Sequence, residues 1–100
     1  MLEYDLAVDE YLHAIVRSRP WTVRRETEQL EALSVWLYAQ PNLSVELDAV
    51  TPEVTRRYAA DNDLSDDERD ALEATLVRLR AWTETFGLRD VRRAVALATR

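Results

Sequence analysis

The sequence predicts an all-α fold, a bundle of four to five helices, and three observations carry that expectation. Apolar residues recur with a period of 3.6 along the whole chain. One glycine and three prolines in 100 residues leave few turn signals, and the hairpin dipeptides Asn-Gly and Asp-Gly are absent. The polar residues that interrupt the apolar pattern are of the kinds that start and stop helices.

Taken in order, Val8, Tyr11, Leu12 and Ile15 form one face of a first helix over about residues 4–17. Pro20 stands where a second helix can begin, because proline's missing N–H costs nothing in a first turn. Val23, Leu30, Leu33 and Leu37 carry its buried stripe with Trp36 beside it, and it should end near Gln40-Pro41-Asn42. Thr51-Pro52-Glu53 supplies a third start: a hydroxyl cap, proline at the first position and an acid that suits the helix dipole. Val54 and Tyr58 face inward on that short helix, which runs out near Asp61-Asn62-Asp63. Ser65-Asp66-Asp67-Glu68 reads as a capping box and opens the longest helix, with Leu72, Leu76, Leu79, Trp82 and Phe86 on one side. Gly87 is placed to close it, and a fifth helix over about 89–99 would bury Val91, Ala94, Val95 and Ala98. Residues 1–100 therefore read as one domain, with no repeat, linker or low-complexity tract.

Composition narrows the function classes. There is no cysteine, which excludes disulfide frameworks, thiolate catalysis and Cys-based metal sites, and one histidine cannot build a His-rich cage. No apolar run approaches a membrane span and the first residues lack the pattern of a signal peptide, so a cytoplasmic protein is expected. The net charge of −6 argues against nucleic-acid or membrane binding over the whole surface. All 13 basic residues are arginine, the better bidentate phosphate ligand. They are unevenly spread: residues 14–25 carry four arginines and no acid, whereas residues 43–75 carry ten acids against three arginines. A basic face built from 14–25 and the arginine-rich stretch 76–100 is one reading; arginines and acids paired along solvated helix faces is the other.

Little of the sequence looks catalytic. His13 has no Ser or Asp partner at a readable spacing, and a surface or structural role accounts for it. The acids from Asp61 to Asp70 lack the glycine and terminal glutamate of an EF-hand loop, so no metal or cofactor is expected. Trp36 and Trp82 read as core, whereas Trp21, before the second helix and between basic residues, reads equally as buried or exposed. Around Ser18-Arg19-Pro20-Trp21-Thr22 a helix N-terminus, hydroxyls and arginines converge, which suits a phosphate; ordinary capping with solvated arginines explains the same residues.

Several pieces fall in one recognisable order: Tyr11-Leu12, then Pro20-Trp21-Thr22, then Leu30, Leu33, Trp36 and Leu37. Next comes Leu47 to Tyr58 with its Thr51-Pro52, then Leu76 to Trp82 and Phe86-Gly87-Leu88. From about Leu6 to Leu88 the chain resembles the N-terminal core-binding domain of tyrosine recombinases, the phage integrase family, whose fold is a SAM-like helical bundle. The resemblance implies half of a clamp on duplex DNA, with the second and fourth helices towards the groove and backbone. It also implies no catalytic residue: there is no lysine, and His13 to Arg17 is one residue too long for His-x-x-Arg.

The expectation is thus a non-catalytic DNA-binding module used in DNA integration and recombination. Its phosphate ligands would be Arg17, Arg19, Thr22, Arg24, Arg25, Arg78 and Arg80. Contacts of that kind make binding weak and salt-sensitive. Asp66, Asp67, Glu68 and Asp70 stand where the fourth helix begins and would repel phosphate there. The alternative is a helical protein-interaction domain that keeps the fold without binding DNA, its acidic segment 61–73 facing solvent or a basic partner. The two readings part on whether the arginines share one face clear of those acids.

Overall fold

The computed structural model describes residues 2–84. Within them the fold is all-α: α1 (Tyr4–Ser18), α2 (Pro20–Ala39), a 3-10 turn (Leu47–Ala49), α3 (Pro52–Asp61) and α4 (Asp66–Trp82). The fifth helix expected over 89–99, and Phe86 and Gly87 at the close of α4, lie outside the described residues.

Local chemistry sets the helix boundaries where the sequence carries it. Pro20 occupies the first turn of α2. Thr51 Oγ1 accepts from Val54 N at 3.3 Å to cap α3. At α4 the capping box is reciprocal: Ser65 Oγ accepts from Glu68 N at 3.1 Å, and Glu68 Oε1 accepts from Ser65 N at 3.2 Å. The end of α3 is a Schellman closure without glycine. Asp63 takes the left-handed conformation (φ 52°), Leu64 N donates to Ala59 O at 3.0 Å, and Leu64 packs on the core. Aspartate tolerates that conformation better than most residues.

α1 lies against α2, α3 lies against α4, and α4 also touches α1 and α2. The shared core takes Val8, Tyr11 and Ile15 from α1, Leu30, Leu33 and Leu37 from α2, and Leu72, Leu76 and Leu79 from α4. These are the stripes expected from the period, and Leu12, Val23, Trp36 and Trp82 pack around them partly buried. The α2–α3 connection, in contrast, carries no helical period in the sequence. It returns beneath the start of α1, where Tyr4 N donates to Val45 O at 2.8 Å and Leu47 N to Leu2 O at 2.9 Å. Leu47 and Val50 are buried there, and the Tyr4 hydroxyl donates to Leu30 O at 2.8 Å, tying α1 to α2. Apolar burial and backbone satisfaction coincide in this connection.

Candidate nucleic-acid interface

The basic stretch 14–25 spans the corner between α1 and α2. Arg19 is the hinge of that corner: its N–H donates to Ile15 O at 2.7 Å, and its backbone (φ −139°, ψ 61°) redirects the chain into Pro20. Beneath the corner lies Glu26, whose side chain is 0% exposed. It falls on the buried stripe of α2, four residues before Leu30, so the helix carries a carboxylate into the core.

That carboxylate is fully partnered. Tyr11 Oη donates to Glu26 Oε1 at 2.7 Å, Arg78 Nε to the same oxygen at 3.1 Å, and Thr22 Oγ1 to Oε2 at 2.8 Å. Arg19 Nη2 stands 3.8 Å from Oε1 and donates to Tyr11 Oη at 2.8 Å. The chain of bonds continues through Thr75 Oγ1, which accepts from Arg78 Nη2 at 3.0 Å and donates to Gln29 Oε1 at 2.6 Å. Trp82 meets the Tyr11 ring edge-on, with centroids 5.9 Å apart. One buried anion thereby links α1, the corner, α2 and α4. Among the described residues no buried side-chain polar atom lacks a partner.

Burial works to raise the Glu26 pKa, but the hydrogen bonds from Tyr11, Thr22 and Arg78 and the Arg19 charge outweigh it. The carboxyl is held below the ordinary glutamate value of 4.5. A group whose pKa is depressed by folding contributes stability above its unfolded value, and that contribution is lost as pH falls through the folded one. Urea melts across a pH series should therefore show stability declining below about 4.5. Glu26→Gln should shallow that decline; an unchanged profile would remove Glu26 as its source. Desolvation, followed by the hydrogen bond to Glu26, raises the Tyr11 phenol and keeps it a neutral donor.

The seven expected phosphate ligands divide into two sets. Arg19, Thr22 and Arg78 turn towards Glu26 and fasten helices together, with the two arginine side chains 33% and 35% exposed. Arg17, Arg24 and Arg25 are exposed around the corner, and Arg80 is half-buried in the last turn of α4. Arg24 pairs with Glu28 at 3.4 Å on the surface, a contact that water readily replaces. Arg17, Arg25 and Arg80 form no ion pair among the described residues. Trp21, one residue into α2, is 77% exposed. Arg25 also shares the wall of a groove with Asp67 and Glu68, so the basic corner is not clear of the acids that open α4. His13 is exposed, with Nδ1 2.8 Å from Asp9 O.

Glu26, Thr75 and Gln29 join this region without being expected there. The signal for Glu26 is present in the chain: a carboxylate in register with Leu30, Leu33 and Leu37 must find partners inside. Thr22 lies one turn away on α2, but nothing local identifies Tyr11 or Arg78, which lie 15 and 52 residues away.

Among the described residues no group of three or more His, Cys, Asp or Glu side chains could hold a metal, and no helix is long and apolar enough to cross a membrane. No protein-family model matches the chain, no curated protein matches it, and no solved structure matches it.

Proposed function

We propose that the chain is a non-catalytic duplex-DNA-binding module whose contact surface is the corner between α1 and α2. The observation that carries this reading is the exposure of Arg17, Arg24 and Arg25 in the turns on either side of the α1–α2 corner, which the bonds to Glu26 tie to α4. Phosphates bind the guanidinium groups, Trp21 offers flat apolar surface to the sugars, and Arg80 extends the contact from α4. The resemblance to the recombinase core-binding domain supports DNA binding and implies that the second helix, which starts at this corner, and the fourth face the duplex. Arg19, Thr22 and Arg78 act as positioning residues that set the angle between α2 and α4.

Contacts to phosphate position a protein without reading bases, so affinity falls similarly for unrelated duplexes and steeply with salt. Fluorescence anisotropy with a labelled duplex at a series of salt concentrations tests this. Replacing Arg24 and Arg25 by alanine is expected to flatten the log K against log salt slope by about 0.9 for each phosphate left without its arginine. Absence of wild-type binding at low salt would refute the DNA reading. A wild-type slope in the double variant would refute these two contacts.

No strand cleavage is expected. Desolvation raises the buried Tyr4, Tyr11 and Tyr58 phenols above the ordinary 10.0, and Tyr38 is raised by desolvation with the charges of Asp5 and Glu3. A nucleophilic tyrosine needs a base or a lowered pKa, and none has the latter. Supercoiled plasmid incubated with the chain should stay supercoiled and form no covalent adduct; an adduct through any tyrosine would reverse this assignment.

A second reading, a helical protein-interaction domain, is favoured by one observation: Arg25 stands beside Asp67 and Glu68. Carboxylates there weaken the field that phosphate would meet. It takes precedence if the duplex does not bind at low salt.

A further inference from the structure

Between α2, α3 and the first half of α4 lies a groove of about 460 Å³. Its floor is apolar: Tyr58, Leu64, Ala71 and Leu72. The floor is held in place from behind, because Trp36 meets the Tyr58 ring edge-on at 5.6 Å and is itself anchored by its Nε1–H donating to Asp61 Oδ2 at 2.9 Å. A preformed surface of this kind loses little ordering entropy when it is covered.

The rim decides what fits. Glu28, Asp67 and Glu68 set three carboxylates around the floor; Glu28 is paired with Arg24 at 3.4 Å, which leaves Asp67 and Glu68 against the guanidinium of Arg25. Arg69 pairs with Asp66 and Asp70, at 3.7 and 3.8 Å, and leaves Asp67 without an ion pair among the described residues. Glu68 is oriented by the capping box, and Asp67 and Glu68, like Asp66, are first-turn acids favoured by the positive end of α4. Phosphate or an acidic peptide meets repulsion here, and an uncharged ligand would desolvate carboxylates without replacing their water.

We propose that this groove docks a cationic amphipathic segment of a partner protein. An apolar side chain of that segment seats on Tyr58, Leu64 and Leu72, flanked by arginines or lysines that meet Glu28, Asp67 and Glu68. Apolar anchors ringed by polar contacts are the usual anatomy of a helix-in-groove contact. The inference rests on the groove alone and not on DNA binding at the α1–α2 corner.

The test is a titration of the full isotope-labelled chain, followed by amide chemical shifts. The probe is a short amidated peptide with leucines at helical spacing between arginines; in the control each arginine is glutamate. Shifts at Leu64, Ala71 and Leu72 with the cationic peptide alone are expected, weakening with salt. Asp67→Asn with Glu68→Gln keeps the capping box, since glutamine serves at that position, and should weaken binding about tenfold. Ala71→Trp should fill the groove and abolish it. The proposal is overturned by no shifts, by shifts only at the separate acidic cavity between α1 and α2 lined by Asp5, Asp9 and Glu31, or by undiminished binding in the Asn/Gln variant. It also fails if the groove amides move with protein concentration alone, which would make the occupant a second copy. If a duplex moves the same amides, the groove belongs to the nucleic-acid contact instead. Failure of the duplex to bind anywhere leaves the groove assignment standing.

Discussion

Glu26→Ala is expected to destabilise the fold by about 3–5 kcal/mol, read as a lowered midpoint in urea melts. The carboxylate is fully buried and gathers bonds from Tyr11, Thr22 and Arg78, with Arg19 close by. Removing it leaves the Tyr11 hydroxyl without its acceptor, leaves Thr22 only its 3.1 Å bond to Arg19 O, and opens a void between three helices. The two arginines are about one-third exposed and can turn to water, which places the loss towards the lower end of that range. Replacing Arg19 and Arg78 together is the harsher change, because it leaves the buried negative charge uncompensated. Glu26→Gln should be milder than either, since an amide oxygen in place of Oε1 still accepts from Tyr11, while the NH2 in place of Oε2 can donate to the Thr22 hydroxyl, which keeps Arg19 O as its acceptor. A loss near zero for Glu26→Ala would show that the carboxylate is not the joint between α1, α2 and α4.

Leu79→Ala is expected to cost about 2–5 kcal/mol, the range for deleting a leucine side chain from a packed core. Leu79 is 0% exposed and shares one cluster with Leu30, Leu33, Leu37 and Leu76. Two residues earlier on the same helix, Val77 is 64% exposed, and Val77→Ala should fall within about 0.5 kcal/mol of wild type. The contrast in denaturant melts separates a face effect from any general intolerance of α4. Equal losses at both positions would mean that α4 is turned differently about its axis.

Residues that act within one turn of themselves are legible in the chain. Pro20 marks a helix start because its missing N–H costs nothing in a first turn, and Thr51 and the Ser65–Glu68 box do so because their bonds close over three residues; the structure forms the Thr51 cap and the box. The stripes are legible for a similar reason, since the spacing of Leu30, Leu33 and Leu37 is set by helix geometry alone. The candidate site is less so. Arg17, Arg19, Arg24 and Arg25 look alike in a basic run, yet Arg19 ends on a buried carboxylate while Arg17, Arg24 and Arg25 face solvent. Trp21 suits either setting by its neighbours in the chain, and the fold leaves it 77% exposed.

By itself, then, the sequence determined the helix class, the order of four helices, most of their boundaries and which face of each is apolar. Those features follow from periodicity and from bonds between near neighbours. Only the tertiary structure decided that Glu26 joins Tyr11 to Arg78, that the 40–50 connection pins α1, and that Arg25 shares a groove with Asp67. Each of these depends on how helices far apart in the chain are set against one another. That choice is made by the collective burial of the core, and no single stretch of residues encodes it.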